Sequence, residues 1–479
     1  MNRNNGWIHI TLATVMIVFA AVLGQIERMR SALKDPTPKI DKTLEKIVKV
    51  EQPKSHTAEV AVRFKPGVTL ERVRAIAAAN HDKLDDEIES VSGLAFIDDL
   101  DNADADTVAA QYSAMKDVVD YAEPNFRIKL DDPAGADAPR DLLYRKRESN
   151  KQPNDPLFGE QWALNNLGQD GGTSRADLDA LEAWNTTQGS EDVVVAVLDS
   201  GVDYTHDDLK GNMWQRPAGM APYKDDELGE FNDLRGYNGT DRIGDPMDDN
   251  GHGTHCAGII GAEGNNGIGV TGINWHVKIM PLKFLGRGGF GTTEDAIEAI
   301  NYAIERKKEG VNLRIISASW GSTSYSKALE DTIRAAGDAG ILFVAAAGND
   351  GSNNDSWPHY PSNYELPNVI SVAALDRNDQ LASFSNYGVK TVHVAAPGKE
   401  ILSTWLNDDY REASGTSMAT PYVSGVAALI VAHEPRIPMD RLRQRIINSV
   451  DKLDSLKGKV ASGGRICAAN AMLNVVKQH

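Results

Sequence analysis

Six short apolar runs rich in β-branched residues and alanine recur along the C-terminal two thirds of this sequence. They cover 193–198, 277–282, 314–319, 341–346, 369–374 and 392–396. Stretches with an apolar stripe at helical spacing lie between several of them, as in 292–307 and 327–339. Strands that are apolar without alternation are buried on both faces, which is typical of a parallel sheet covered by helices. The sequence from residue 155 onward therefore predicts an α/β domain with a parallel sheet and helices on both faces.

Polar residues interrupt these runs where the predicted strands end. Asp199 ends the run VVVAVLD, Ser319-Trp320-Gly321 ends RIISASWG, and Asn349 follows ILFVAAAG. Two further segments carry His252 in NGHGTHCAG and Ser417 in SGTSMATP, where the serine falls in the first turn of a predicted helix. Ligands of parallel α/β sheets bind just beyond the carboxyl ends of the strands, so we expect these side chains to lie together.

These residue types suit acyl transfer. A serine hydroxyl becomes a nucleophile when an imidazole takes its proton, and a carboxylate on the other ring nitrogen fixes the tautomer. An asparagine amide and a backbone N–H at a helix N-terminus can stabilise the oxyanion. Taken singly, such residues are more often turn formers, core histidines or helix caps. Their occurrence together at one sheet edge favours a catalytic site.

The blocks DSGVDYTHDDL, NGHGTHCAG, AAAGND and SGTSMATP resemble the signature blocks of the subtilisin-like (subtilase) serine peptidases, over roughly residues 155–475. The chain order Asp, His, Ser is also that of subtilisin. The resemblance implies an endopeptidase that hydrolyses peptide bonds. Asp199 would orient His252, His252 would act as general base and then acid, and Ser417 would be the nucleophile. The side chain of Asn349 and the Ser417 N–H would form the oxyanion hole.

The same resemblance implies a substrate-binding cleft. Two backbone strips, Ser319-Trp320-Gly321 and Ala346-Ala347-Gly348, would line the primary pocket and pair with an extended substrate. Tyr360-Pro361 resembles a turn that is often cis in the family, and His359 falls where relatives shape the pocket floor. An exposed loop histidine is the alternative for His359, and a broad or hydrophobic preference is the default expectation.

The family likeness also predicts structural Ca²⁺, a hard cation that prefers oxygen ligands. The predicted ligands are the side chains of Asp155, Asp208 and Asn266 and the carbonyl groups of Gly264, Ile268 and Val270. A second ion on the acidic segment containing Asp245, Asp248 and Asp249 is an alternative to a solvated acidic loop.

Only two cysteines are present, Cys256 and Cys467, which excludes a disulfide-stapled scaffold and a cysteine-rich zinc module. Separate thiols are the simpler interpretation, with a bridge between them as the alternative. The net charge of −18 disfavours nucleic acid as a partner, because an acidic surface repels phosphates.

Residues 57–130 predict a small α+β unit before the catalytic part. Val60, Val62 and Phe64 alternate as in a half-buried strand, and the order β-α-β-α-β suits a ferredoxin-like sandwich closed by 121–130. By resemblance this unit is an inhibitory propeptide that templates folding and plugs the groove. A permanent binding module is the alternative. The polar stretch 131–154, with Arg145-Lys146-Arg147, predicts a cleavable linker.

The N-terminus carries an apolar segment, 7–24, without Asp, Glu, Lys or Arg. Its length lies between that of a secretion signal and a membrane span, and a buried core helix is a third interpretation. We predict export, with 1–24 as a cleaved signal or a membrane anchor, 25–56 as a linker, and a catalytic domain over 155–479 that is secreted or held outside the cytoplasm. An esterase with the same triad and a catalytically silent binding protein are the rival functions.

Overall fold

The computed structural model describes residues 58–131, 152–225 and 229–473. The predicted signal or anchor (1–24), the linker 25–56 and nearly all of the linker 131–154 lie outside these residues. Among the described helices, none combines the length and the apolar composition needed to cross a membrane.

The N-terminal unit is an antiparallel sheet with two helices. Its elements are β1 (Glu59–Phe64), α1 (Leu70–Ala79), β2 (Asp82–Glu87), β3 (Leu94–Asp99), α2 (Ala105–Ala114) and β4 (Val119–Pro124). The sheet order is β2-β3-β1-β4. The element order βαββαβ is that of the ferredoxin-like fold, so the predicted class holds with one more strand than expected.

The additional strand is β2, whose sequence DKLDDE carries charge where a strand usually carries apolar residues. Alternate residues of β2 are nevertheless buried: Asp82, Leu84 and Asp86 are 6%, 9% and 0% exposed. Asp82 and Leu84 face the core of this unit, whereas a bulge between Leu84 and Asp86 turns Asp86 to the opposite face, beside Glu298. Buried carboxylates and a break in the alternation are why apolar periodicity missed the strand. The expectation that 121–130 closes the sheet is also only half right, because β5 (Arg127–Lys129) leaves this sheet and pairs with the catalytic part.

The catalytic part contains the remaining elements. In chain order they are α3 (Ala180–Ala183), β6 (Gly189–Asp199), β7 (Tyr223–Asp225), β8 (Gly229–Phe231), β9 (Tyr237–Asn238), α4 (His252–Gly261), β10 (His276–Lys283), β11 (Phe290–Thr292), α5 (Thr293–Lys308), β12 (Leu313–Ala318), α6 (Lys327–Asp338), β13 (Leu342–Ala346), β14 (Val369–Leu375), β15 (Val394–Pro397), β16 (Ile401–Trp405), β17 (Asp409–Ala413), α7 (Thr416–His433), α8 (Met439–Asn448), β18 (Val450–Lys452), β19 (Gly464–Ile466) and α9 (Ala468–Leu473). The main sheet has nine strands in the order β18-β19-β15-β14-β13-β12-β6-β10-β9.

This sheet is parallel except for the antiparallel pair of β18 and β19. Each of the six apolar runs forms one of its strands, which confirms the predicted parallel α/β architecture. Successive residues of β6 face different cores: Val195 and Val197 pack on the side of α4 and α7, whereas Val194 and Ala196 pack on the side of α5 and α6. The absence of alternation in the sequence therefore reflects burial on both faces.

Helix α7 sets the position of the functional edge. Its residues 416–431 are all buried, and it packs against β6, β12, β13 and β14. Because its N-terminus begins at Gly415, the first turn lies beside the carboxyl ends of the strands that precede Ser319 and Asn349.

Candidate active site

Asp199 and His252 are brought together as the sequence predicts. Asp199 is the last residue of β6 and is fully buried, and His252 is the first residue of α4. The Nδ1 atom of His252 lies 2.7 Å from Oδ1 of Asp199. This bond fixes the orientation of the ring and leaves the role of base to Nε2.

Asp248 supports this pair structurally, whereas the sequence predicted a place for it in a solvated acidic loop or a second ion site. Its carboxylate accepts hydrogen bonds from the Ser200 hydroxyl at 2.9 Å, from the Gly251 N–H at 3.0 Å and from the Thr254 N–H at 3.0 Å. Ser200 follows Asp199 and also accepts the N–H of Gly253 at 3.0 Å. Asp248 is 5% exposed and burial raises the pKa of its carboxyl. The interpretation of Asp248 as part of a solvated acidic loop is therefore wrong: it joins the two catalytic segments.

Ser417 is the second residue of α7, in the predicted first helical turn. Its hydroxyl donates to the Ser319 carbonyl at 3.0 Å, and the Ser319 hydroxyl donates to the Ser417 carbonyl at 2.8 Å. The thiol of Cys256 lies within 4.8 Å of a carboxylate oxygen of Asp199 and a ring nitrogen of His252. The same thiol donates to the Ser417 carbonyl at 3.5 Å, so the serine shares the site of the Asp–His pair.

Asn349 lies beside the helix N-terminus that carries the serine. Its Oδ1 accepts the Thr416 N–H at 2.8 Å and the Thr416 hydroxyl at 3.0 Å. These bonds fix the amide so that Nδ2 points into the cleft, where it donates to the carbonyl of Asp131 at 2.5 Å. The structure therefore places a peptide carbonyl on the predicted oxyanion donor.

An extended segment of the same chain, residues 127–131, fills the cleft and ends at the Asn349 amide. Its strand β5 pairs antiparallel with β11, with Ile128 opposite Gly291, and Lys129 forms a bridge with Gly321 on the other side. The Leu130 N–H donates to the Gly289 carbonyl at 2.9 Å. Residues 127–131 are thus held by β-augmentation, the binding mode of an extended substrate.

The two expected strips take different parts. Trp320 is bonded to the strand that ends at Asp199, since its indole donates to the Leu198 carbonyl at 2.9 Å. Ser319 bonds Ser417, as described above, and Gly321 forms a bridge with Lys129 of the extended segment. Ala346 ends β13, and the N–H groups of Ala347 and Gly348 donate to the Val372 carbonyl and the Thr416 hydroxyl. These two N–H groups bond within the enzyme, and the pairing of 346–348 with substrate stays a prediction. The glycine-rich segment around β11 pairs with residues 127–129, and sequence reasoning missed it because GRGGFGTT carries no strand signal.

His359 is buried, 3% exposed, which excludes the exposed-loop alternative. Its Nε2 lies 2.7 Å from Oδ2 of Asp131. The following bond, Tyr360-Pro361, is cis as expected.

The cysteines are separate buried thiols, and no bridge joins them. Burial raises the pKa of Cys256 well above its ordinary value. A thiol that stays protonated is a poor nucleophile, so the nucleophilic role is left to the serine hydroxyl.

The predicted calcium ligands Asp155, Asp208 and Asn266 converge in one place. The N–H groups of Asn265 and Asn266 donate to the Asp155 carboxylate at 2.7 and 3.3 Å, and the Asn266 amide donates to Asp208 at 2.7 Å. Burial raises the pKa of Asp155 to about 6 and that of Asp208 to about 7. Two buried carboxylates whose charge is uncompensated suit a divalent cation.

The remaining predicted calcium ligands belong to the loop that covers these carboxylates. The Val270 N–H donates to Asp208 at 2.9 Å, which holds the loop in place. The roles of the Gly264, Ile268 and Val270 carbonyl groups stay predictions.

Together, the parallel α/β fold, the Asp–His pair, the serine at a helix N-terminus and the amide that holds a peptide carbonyl define a serine hydrolase acting on acyl groups. Comparisons with known proteins agree. The model of the subtilase family matches residues 190–463. A thermophilic serine proteinase from Bacillus sp. (strain AK1) is 35% identical over 421 residues, covering 86% of this chain and 87% of that protein. The chain therefore belongs to the subtilase family and is a serine-type endopeptidase.

Solved structures support the same fold. A protease from Pseudoalteromonas arctica PAMC 21717 aligns with a TM-score of 0.56 and 30% identity, over 67% of this chain and 99% of that one. Fervidolysin from Fervidobacterium pennivorans, a keratinolytic enzyme related to subtilisin, aligns with a TM-score of 0.68 and 24% identity, over 88% of this chain and 62% of that one, and supports the fold alone. Subtilases commonly bind structural calcium, which agrees with the oxygen ligands around Asp155 and Asp208.

Proposed function

We propose that this chain is the self-processing precursor of an exported serine endopeptidase with Asp199, His252 and Ser417 as its triad and Asn349 in its oxyanion hole. The observation that carries the proposal is the position of Asp131 in the cleft. Its carbonyl oxygen accepts a hydrogen bond from the Asn349 amide at 2.5 Å, and the residues before it pair with β11. A carbonyl group held on the predicted oxyanion donor is the group that a serine nucleophile would attack.

The reaction follows from this geometry. Ser417 Oγ forms a bond to the carbonyl carbon while its proton passes to Nε2 of His252, and Asp199 stabilises the resulting imidazolium. The negative charge on the carbonyl oxygen is held by the Asn349 amide and the Ser417 N–H. His252 then gives the proton to the leaving amine as the C–N bond breaks, and water releases the acyl group in a second, similar cycle.

Residues 57–131 act as the propeptide in this proposal. Glu123 accepts the N–H groups of Lys327 and Ala328 at 2.9 and 3.0 Å, at the N-terminus of α6. Asn125 accepts the Glu294 N–H at 3.0 Å, at the N-terminus of α5. Carboxylate and amide oxygens at helix N-termini stabilise those helices, which suits a folding template for a slow-folding parallel sheet.

We propose Asp131–Asp132, at the start of the predicted linker, as the maturation bond, because the Asp131 carbonyl lies on the predicted oxyanion donor. We expect the mature protein to begin at residue 132. N-terminal sequencing and intact mass of the purified enzyme test this assignment. Mature material that retains residues 57–131 in one chain would support the alternative of a permanent binding module.

A buried group of carboxylates between the propeptide and the enzyme predicts how pH acts on the inhibited complex. Oxygens of Asp86, Asp225 and Glu298 lie within 4.8 Å of one another, and Asp86 is fully buried. Burial raises the pKa of Asp86 to about 7 and that of Glu298 well above its ordinary value, while Arg242 is the nearby cation. Ionisation of Asp86 and Glu298 is therefore unfavourable in the complex.

We expect the cleaved propeptide to dissociate more readily as pH rises. In the free propeptide, an exposed Asp86 ionises near pH 4, so affinity falls as pH rises from about 4 through 7. The dissociation constant of the cleaved propeptide should be at least about tenfold larger at pH 8 than at pH 5. Size-exclusion chromatography of the processed protein measures it. Asp86→Asn should flatten this dependence, and Asp106→Asn on the exposed side of the propeptide should not. An equal dissociation constant at both pH values would contradict the prediction.

Calcium removal provides a separate test. Without the ion, the raised pKa values of Asp155 and Asp208 mean that stability falls as pH rises through 4 to 7, because charge must then be buried. A bound ion compensates that charge. We expect a chelator to lower the melting temperature of the mature enzyme by about 10 °C at pH 8 and by less at pH 5.5. Asp208→Asn should remove the response, and unchanged melting of the wild type would exclude the site.

Export rests on the apolar segment 7–24 and on the function of the family. Material recovered outside the cell that begins after residue 24 would identify a signal peptide, and membrane-bound material that retains 7–24 would identify an anchor. Recovery of activity only from the cytoplasm would contradict export.

The rival functions predict different reactivity. A fluorophosphonate probe should label Ser417 of the mature enzyme, and casein should be degraded without a preference for ester substrates. Failure to label would favour a silent binding protein, whereas ester hydrolysis without casein digestion would favour an esterase.

A further inference from the structure

We infer that His359 makes this protease selective for peptide substrates with aspartate immediately before the cleaved bond. The inference rests on the proposed function and names its substrate class. It replaces the expectation of a broad or hydrophobic preference.

Asp131 occupies the position of that substrate residue. Its carbonyl oxygen is on the Asn349 amide, and its own side chain enters the primary pocket, where Oδ2 lies 2.7 Å from Nε2 of His359. The Asp131 side chain is 36% exposed, whereas that of His359 is 4% exposed. The Asp131 carboxylate therefore meets a buried imidazole, that of His359, which belongs to the enzyme part.

The imidazole of His359 is wedged between the two walls of the pocket. A Cβ atom at Gly321 would lie 2.0 Å from Cε1 of His359, and one at Gly348 would lie 3.0 Å from Cδ2. The loop is held by two hydrogen bonds of 2.8 Å between the backbones of Ser322 and Tyr360. The ring therefore occupies the depth of the pocket, leaving room for a short side chain rather than a large apolar one.

The hydrogen bonding of the ring favours an acceptor in the pocket. Within the described residues, Nδ1 of His359 is buried without a hydrogen-bond partner. A lone pair is tolerated there better than an unpaired N–H, so Nδ1 is the unprotonated nitrogen and Nε2 carries the proton. The Nε2–H donates to the Asp131 carboxylate, and an apolar substrate residue would leave this donor buried and unpaired.

Chain geometry explains why aspartate fits better than its analogues. Asparagine has the same shape but offers only a neutral acceptor, and hydrogen bonds to charged groups are about twice as strong as neutral ones. Glutamate is longer by one methylene and meets the fixed ring. Of the three preceding residues, Leu130 and Ile128 are apolar and buried, 6% and 1% exposed, whereas Lys129 is exposed. The segment Ile-Lys-Leu-Asp therefore provides the test sequence.

The experiment compares tetrapeptide coumarylamides ending in Ile-Lys-Leu-Asp, -Asn, -Glu, -Leu and -Phe on the mature wild-type enzyme at pH 8. We expect kcat/KM for the aspartate peptide to exceed each of the others by roughly 10- to 100-fold, the size of one hydrogen bond to a charged group. A preference for the leucine or phenylalanine peptide would overturn the inference.

Variants assign the preference to the ring. His359→Leu should remove the preference for aspartate over leucine, mainly by lowering kcat/KM for the aspartate peptide. His359→Gln retains an N–H donor and should keep part of the preference for aspartate over leucine. His433→Leu, an exposed position at the far end of α7, is the matched control and should leave the preference unchanged. An aspartate preference that persists unchanged in His359→Leu would overturn the assignment.

Two readouts separate this inference from the proposed function. Active enzyme is first counted with the fluorophosphonate probe and with casein. Labelled enzyme that digests casein but ignores aspartate peptides would overturn the selectivity and retain the protease. Enzyme that neither reacts with the probe nor digests casein would overturn both.

Discussion

The Ser417→Ala chain is expected to remain uncut and to lose peptide hydrolysis by about 10⁶-fold, the size of the loss when the nucleophile of subtilisin is removed. The substitution removes only a hydroxyl that donates to the Ser319 carbonyl, so the fold should be kept within about 1 kcal/mol. Gel electrophoresis should show a single chain of about 52 kDa, or that mass less the signal.

The controls separate chemistry from folding. Ser174→Ala, at an exposed position, should process and digest casein as the wild type does. The uncut Ser417→Ala protein should show the melting temperature of the folded zymogen. Processing of this variant at the wild-type rate would mean that another nucleophile, or another protease, cleaves the chain.

Replacing Asn349 by alanine is expected to lower kcat in trans by about 10²–10³, as loss of one oxyanion donor does in subtilisin. Substrate still pairs with β11 and Gly321, so KM should change little. The measurement is steady-state kinetics on an aspartate peptide, with active enzyme counted by titration.

A second variant shows whether the amide donor itself is responsible. Asn349→Asp keeps the oxygen that accepts the Thr416 N–H and replaces the donor with a negative charge. Its loss in kcat should equal or exceed that of Asn349→Ala, because the carboxylate repels the oxyanion. A variant at this position with wild-type turnover would exclude Asn349 from the oxyanion hole.

The sheet and the catalytic segments could be predicted because their signals are local. Each apolar run is long enough to identify a buried strand, and the polar residues that follow must then meet at one edge. Asp199, Asn349 and Ser417 lie where this reasoning places them.

The features that sequence reasoning missed depend on contacts between distant segments. The acidic residues of strand β2 have partners distant in sequence: Asp85 pairs with Arg242 at 2.6 Å and Tyr112 donates to Asp82 at 2.7 Å, which no local pattern reveals. The glycine-rich segment at β11 becomes a strand only by pairing with residues 127–129. The side chain of His359 could be placed near the pocket from the family likeness, but its partner Asp131 lies 228 positions away in sequence.

The acidic interface has a consequence for the direction of activation. In the proposed activation, departure of residues 57–131 would expose Glu298 to solvent, where it ionises at neutral pH, and the departing surface bears Asp86 and Glu89, which would ionise as well. The carboxylates of Asp86 and Glu298 then repel each other and oppose re-association, while the ion pair of Arg242 with Asp85 at 2.6 Å favours it. Under the proposed function, repulsion among these newly ionised carboxylates would weaken rebinding of a released propeptide at neutral pH.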